Sequence, residues 1–412
     1  MKKILFIAVS LCLFVSCEKG NGVKQLKQLQ FTSEEQELVN HCNDFSFNLL
    51  AKVDNGEQKE NVILSPLSAS MLLGMLMNGA DTQTLMQIQN VTGFDDKASM
   101  DEINAWYRQL IEVLPALDHY TNLNIANGIW AREDFPFKET FMEACKQNFD
   151  AQTKNVPTFL DSKVLDDINR FAAQQTNNRI KKVIDEQMVN SETVMILLNA
   201  LYFKAMWLDK FKKENTKPHP FTTLNGEQIQ ADMMRQTHDW CYGENDDYQF
   251  LQLPYKGGKY CANIILPAKG IDIREWIKTL NAERWQQILY KTFYPEVSLE
   301  LPKFSLSYDR MLTDDLKALG MKDAFNPLAA DFSRLSEFPS YVSFIKQYTF
   351  MQVDEEGTEA AAVTIGGMYA ESAMPEEPRE FIVDRPFLFV IRECTYGTIL
   401  FTAIIGHPEW QK

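Results

Sequence analysis

The stretch Val353-Asp354-Glu355-Glu356-Gly357-Thr358-Glu359-Ala360-Ala361-Ala362-Val363-Thr364 decides the reading of this chain. Gly357 supplies a hinge that tolerates backbone angles other residues avoid. Beyond it, Thr358, Ala360, Ala362, Thr364, Gly366 and Met368 occupy alternate positions, and all are small or apolar and uncharged. The opposite parity holds Glu359, Ala361, Val363, Ile365, Gly367 and Tyr369. In a strand the first set would share one face. None of its members would carry an unpaired charge into a core, where a charge is expensive. The segment is therefore able to enter a sheet. It belongs to a longer stretch, Asp354 to Glu380, which has no core pattern of its own. A structureless length of this kind inside a domain is either functional or disordered, and an Ala/Gly-rich flexible loop remains the bland alternative at this level.

Outward from the stretch, the flanks read as strands, one ending near Val353 and one starting near Phe381. Phe387 to Ile391 and Ile399 to Ile405 flank Thr395-Tyr396-Gly397 as a hairpin. Val297, Leu299 and Leu301 alternate with polar residues as a half-exposed strand. Thr193 to Phe203 is a continuous apolar run holding Asn199, the pattern of a strand covered on both faces. Toward the N-terminus the period changes. Leu38, Cys42, Phe45 and Leu49 form one helical stripe, with Ser33 and Gln36 as a capping box. A second helix starts at Ser65-Pro66, and its body, Met71 to Met77, is apolar nearly all round, so it should be buried. Helices dominate the first half and strands the second, which implies an α+β fold with large, mostly antiparallel sheets.

The chain is 412 residues long, 45% hydrophobic and carries a net charge of −15. That composition is globular, and an acidic surface argues against a nucleic-acid partner. The short basic pieces Lys210 to Lys213 and Arg179 to Lys182 read as solvated helix ends. Residues 1–16 read as an export signal, with Lys2 and Lys3 ahead of the apolar run Ile4 to Val15, which is too short to span a membrane. Leu13-Phe14-Val15-Ser16-Cys17 resembles a bacterial lipobox, apart from Phe14 where Leu is usual. It makes Cys17 the expected lipidation site, with residues 17–31 as a polar tether and a single domain over 32–412. Several acyl chains would anchor stably where one would not. The remaining cysteines, Cys42, Cys145, Cys241, Cys261 and Cys394, suggest no disulfide framework and no zinc site, and read mostly as buried fillers. The five histidines form no motif, and there is no HExxH, GxSxG or phosphate-cradling loop, so no catalysis, cofactor or metal is expected.

Four stretches together resemble the serpin family. Glu355 to Ala362 is similar to the proximal hinge of inhibitory serpins. Asn61-Val62-Ile63-Leu64-Ser65-Pro66-Leu67-Ser68, continuing to Gly79-Ala80 and Thr84, resembles their buried second helix. Leu198-Asn199-Ala200-Leu201-Tyr202-Phe203-Lys204 with Trp207 resembles a central-sheet strand, and Phe381 to Ile391 with Asp384-Arg385-Pro386-Phe387 the segment after the reactive loop. The resemblance implies a serpin fold: a large central, mostly antiparallel sheet, further sheets, about nine helices and an exposed reactive-centre loop at about 355–380. It implies a suicide-substrate inhibitor. A target protease, serine type first and cysteine type second, attacks the loop and forms an acyl-enzyme. The cut loop then inserts as a new strand and traps the enzyme. Insertion of about a dozen residues would gain on the order of ten backbone hydrogen bonds, each worth roughly 1 kcal/mol net.

By the same resemblance, Ser65, Ser68 and Asn199 form a polar cluster where strands must part; their bland role is ordinary buried hydrogen bonding and helix capping, and both roles can hold at once. Trp207 and a Lys303–Glu355 ion pair sit where insertion begins. Gln347 stands where the family often has His; it can still donate and accept. The reactive residue of the family usually lies fourteen positions beyond the hinge glycine, which is Glu371, followed by Ser372. Met368, Tyr369 and Ala370 are alternative baits, and the absence of Lys and Arg between Gly357 and Arg379 speaks against trypsin-like targets. A monomer is expected. The rival readings are a non-inhibitory serpin acting as a binding or chaperone-like module and a glycan-binding surface lipoprotein.

Overall fold

The first helix begins one residue earlier than expected. In the computed structural model, Thr32 is extended and its hydroxyl accepts from the Glu35 N–H, while the Glu35 carboxylate accepts from the Thr32 N–H. The capping box is therefore Thr32/Glu35; Ser33 and Gln36 already lie inside the helix. The expected stripe of Leu38, Cys42, Phe45 and Leu49 is buried.

The structure describes residues 25–57, 59–94, 98–358 and 377–411. Nine α-helices occur among them: α1 (Ser33–Asn55), α2 (Pro66–Gly79), α3 (Thr82–Thr92), α4 (Met100–Val113), α5 (Glu139–Phe149), α6 (Ser162–Gln175), α7 (Ile273–Ile277), α8 (Ala282–Tyr290) and α9 (Thr313–Leu319). The strands are β1 (Asn61–Leu64), β2 (Asn122–Arg132), β3 (Gln152–Val156), β4 (Met195–Met206), β5 (Lys217–Thr222), β6 (Gln228–Asp239), β7 (Cys241–Glu244), β8 (Tyr248–Pro254), β9 (Tyr260–Pro267), β10 (Glu296–Pro302), β11 (Phe304–Met311), β12 (Lys346–Asp354), β13 (Gly357–Thr358), β14 (Arg379–Ile382), β15 (Phe387–Glu393) and β16 (Ile399–Ile405).

They form three sheets, ordered β11-β12-β13-β4-β2-β3, β1-β16-β15-β9-β8-β7 and β14-β10-β6-β5. Among the described strands only β2/β3 and β10/β14 pair in parallel. The expected hairpin is β15/β16. Helix α2 is buried, with Leu72 and Asn78 partly exposed, and packs against both β4 of the first sheet and β16 of the second. Helix α6 lies across β2 and β4. The polar segment expected to be a tether ends on the body: Leu29 is buried, the Lys27 N–H bonds the Ala116 carbonyl, and Phe31 packs on Tyr396. Cys17 and the export signal lie outside the described residues.

Candidate functional site

The hinge sits in the first sheet as a two-residue strand. Gly357 pairs with Asp354 of β12 on one side and Met206 of β4 on the other, and Thr358 with Val353 and Ala205. Only glycine fits at the corner. Gly357 has φ of +154°, and a Cβ there would overlap the Ala205 carbonyl oxygen. The Asp354 side chain accepts from the N–H groups of Glu356 and Gly357 and shapes the turn.

Around the turn the side chains interlock. Trp207 is buried, donates Nε1–H to the Asp354 carbonyl at 2.9 Å and stacks on Tyr255 at 4.6 Å. The Tyr255 and Thr358 hydroxyls share a hydrogen bond of 2.6 Å, and burial pushes the Tyr255 phenol well above its ordinary pKa. Thr358 thus faces the core, as its parity predicts. Lys303 Nζ lies 3.6 Å from the Glu355 carboxylate, which also accepts from the Thr216 hydroxyl at 2.8 Å. Burial raises the Glu355 pKa, but its own backbone N–H, the Thr216 hydroxyl and the Lys303 ammonium outweigh that and hold it below the ordinary value. Lys210 and Lys213 both approach Glu356, at 2.6 and 3.7 Å. Lys210, half-buried, is therefore not simply a solvated helix end, whereas Lys213 does open a short 3-10 helix, Lys213–Asn215, and stays largely exposed.

Below the hinge the described residues leave a gap in the first sheet between β4 and β12. β13 pairs with both β4 and β12, yet among the described residues those two do not pair with each other. One strand between them sets them about 10 Å apart. Three cavities, of about 20, 40 and 350 Å³, follow the gap away from Thr358. A second departure lies here: Met195 to Asn199 are only half-buried rather than covered on both faces, and among the described residues no strand pairs with them on the side of β12.

The polar cluster lies in mid-gap. Ser68, Asn199 and Gln347 line the 40 Å³ cavity. The Gln347 amide grips the Ser65 backbone, accepting its N–H at 3.0 Å and donating to its carbonyl at 2.8 Å. Ser65 stands at the N-cap position of α2 but makes no capping bond. Its buried hydroxyl donates instead to the Leu400 carbonyl beneath it. Asn199 donates to the Asn127 side chain at 2.7 Å, and its Oδ1 is buried with no partner. Glu359, Ala360, Ala361, Ala362, Met368, Tyr369, Ala370, Glu371 and Ser372 lie outside the described residues.

The family model described as "Serpin (serine protease inhibitor)" matches residues 40–408. The chain belongs to the serpin family. Human neuroserpin is 31% identical over 378 residues, covering 89% of this chain and 90% of that one. The native structure of the thermophilic serpin tengpin superposes with a TM-score of 0.82 at 29% identity, over 93% and 97% of the two chains. A thyroxine-binding globulin in complex with thyroxine gives 0.80 at 25%, over 90% and 100%. Serpins are in general protease inhibitors rather than enzymes, although some members do not inhibit. Sequence reasoning on this serpin named Trp207, Lys303, Glu355 and Gln347, which the fold brings to the gap. It missed Tyr255, Asn127 and Thr216, whose partners are distant in sequence and whose local patterns are those of ordinary core or loop residues.

Proposed function

We propose that this serpin is an inhibitor that acts once, as a suicide substrate, by inserting its cut loop between β4 and β12. One observation carries the reading: the hinge already occupies, in register, the first two positions of a one-strand gap. Continuing that register would set Ala360 between Phe203 and Met351, Ala362 between Leu201 and Thr349, and Thr364 between Asn199 and Gln347. Small inward residues would meet large flanks. The hydroxyl of Thr364 would reach the very cavity in which Asn199 Oδ1 lacks a partner. Serpin loop insertion is itself a standard example of an order-changing switch.

In this reading the scissile bond is Glu371–Ser372, suited to a protease that prefers acidic residues, with Met368, Tyr369 and Ala370 as alternatives. Serine proteases are the first targets and cysteine proteases the second. The chain is exported from a bacterial cell, lipidated at Cys17 and held at the envelope as a monomer. Among the described residues no helix is long and apolar enough to cross a membrane, so the lipid would be the attachment.

A second reading is favoured by the 350 Å³ cavity at the far end of the gap, lined by Leu72, Leu76, Phe135, Ile168 and Leu198. There the protein would be a non-inhibitory serpin that binds apolar ligands or exposed chains. The test mixes the protein without its anchor with proteases of acidic, aromatic, small-residue and basic preference. A complex that survives denaturing gels, with a released peptide starting at Ser372 under reducing conditions, supports both the trap and the bait bond. A peptide starting elsewhere in the loop moves the bond. Cleavage without complex from every protease overturns the inhibitor and leaves the binder.

A further inference from the structure

A thiol on the segment that loop cleavage would detach faces a thiol of the body. β9 and β15 pair antiparallel, with Cys261 opposite Arg392 and Tyr260 opposite Glu393. Cys394 continues the ladder, its N–H bonding the Lys259 carbonyl at 2.9 Å. Two positions past Arg392, it lies diagonally across from Cys261 on the same face. Cys261 is fully buried and accepts from the Asn263 amide at 3.6 Å. Cys394 is half-buried and stands at the start of the turn between β15 and β16.

We propose that Cys261 and Cys394 form a disulfide in the exported protein, and that this bond ties the C-terminal segment to the body after the loop is cut. The consequence for cleavage rests on the functional reading above; the bond itself does not. Any cut between Gly357 and Arg379 leaves Cys261 on the long fragment and Cys394 on the short one. Without the bond the short fragment is held by non-covalent contacts alone, the pairing of β14, β15 and β16 among them; with it the two remain one covalent molecule.

The environment suits the exchange. Burial raises the Cys261 pKa, but the hydrogen bond from Cys394 and the nearby Arg392 guanidinium bring it below the ordinary thiol value, while the hydrogen bond to Cys261 and burial raise Cys394. Of the two, Cys261 is the thiol whose ionised form its surroundings favour, and Cys394 the one whose ionised form they disfavour. An external disulfide, such as oxidised glutathione or a disulfide oxidoreductase, meets the accessible Cys394 first. Cys394 Sγ loses its proton to solvent, attacks the disulfide and expels one thiolate. Cys261 Sγ then attacks Cys394 Sγ and expels the second. Two protein thiols are oxidised and one external disulfide is reduced to two thiols.

The full chain would be equilibrated in an oxidised-glutathione buffer, alkylated, digested without reductant and weighed. The expected result is one cross-linked peptide pair containing Cys261 and Cys394, with Cys42, Cys145 and Cys241 alkylated. Full alkylation of Cys261 and Cys394, or Cys394 joined to glutathione or to another cysteine, overturns the proposal. This arm needs no loop cleavage, so its failure leaves the inhibitory reading standing. In the second arm the loop is nicked by limited proteolysis and run on a denaturing gel without reductant. The wild-type chain should stay one species, and Cys394→Ser, or Cys261→Ala if the first folds poorly, should separate completely into two. Separation of the wild-type chain overturns the tether even if no protease forms a complex.

Discussion

The two ends of the gap between β4 and β12 are built in opposite ways. At the hinge end β13 fills the gap, Trp207 and Tyr255 stack beneath it, and Glu355 and Glu356 are each held by lysines. At the far end the same two strands border, among the described residues, a mostly apolar cavity of about 350 Å³. A void forfeits dispersion contacts that a filled core would make, so the far end holds unused stabilisation while the hinge end fixes the register in which it could be recovered. Under the proposed mechanism, the contrast teaches that the sheet is ordered where an entering strand would start and has no described strand where it would finish.

The largest effect should come from spoiling the ordered end. Thr358→Arg would place a charge against Tyr255 in a buried seat, a penalty of several kcal/mol without a partner. The hinge would then stay out of the sheet. The uncut protein should melt nearly as before, but complex yield against a responsive protease should fall by at least about tenfold, with the loop turned over as substrate. Undiminished yield would break the comparison, because the seat would then be irrelevant to insertion. Next in size is Gln347→Ala at mid-gap. It strips the Ser65 backbone of both amide contacts, at a cost of roughly 1–3 kcal/mol. Thermal unfolding should show a clear drop for the uncut form, unlike the hinge variant.

The ordered end was the more legible of the two. Thr358 facing the core follows from parity alone, and the buried second helix follows from its all-round apolar run. The resemblance to inhibitory serpins, rather than any pattern, named Lys303 with Glu355. The open end was not legible. A gap is a missing pairing between strands about 150 residues apart, and no local period records it; the apolar run at Thr193 to Phe203 reads the same whether a neighbour is present or absent. Small errors had local causes. Thr32 and Ser33 are equally good caps by residue type, and only the extended backbone at Thr32 selects it. Ser65 has the right type and position for a cap, but a buried hydroxyl takes the nearest acceptor, here Leu400.

A smaller effect of opposite sign should come from filling the far end. Leu72 of α2 lines both the 40 and the 350 Å³ cavities. Leu72→Phe should add about 1 kcal/mol to the uncut protein, as cavity-filling changes commonly do, and raise its melting temperature slightly. The same ring would occupy space an entering strand needs, so fewer cleavage events should end in a complex. A variant that is both more stable and an equally efficient inhibitor would show that the cavity is not on the insertion path.

The smallest effect is a pH dependence confined to the hinge. The Glu355 carboxylate is favoured in the folded state, since its own N–H, Thr216 and Lys303 outweigh burial and depress its pKa below the ordinary 4.5. A depressed folded value means that the stabilisation is fully present above the ordinary carboxylate pKa and is lost as pH falls through the lower folded value. The ion pair is partly open to solvent at Lys303, which limits it to on the order of 1 kcal/mol or less. Acidification from neutral to below about pH 4 should therefore loosen β13 before the body unfolds, read as earlier protease access to the loop or faster amide exchange at Gly357 and Thr358. Glu355→Gln should flatten that profile between pH 3 and 5, and leave the far end of the gap unchanged. Equal loosening at β4 residues 195–199 would mean that acid acts on the sheet as a whole, and that the two ends are less independent than their packing indicates.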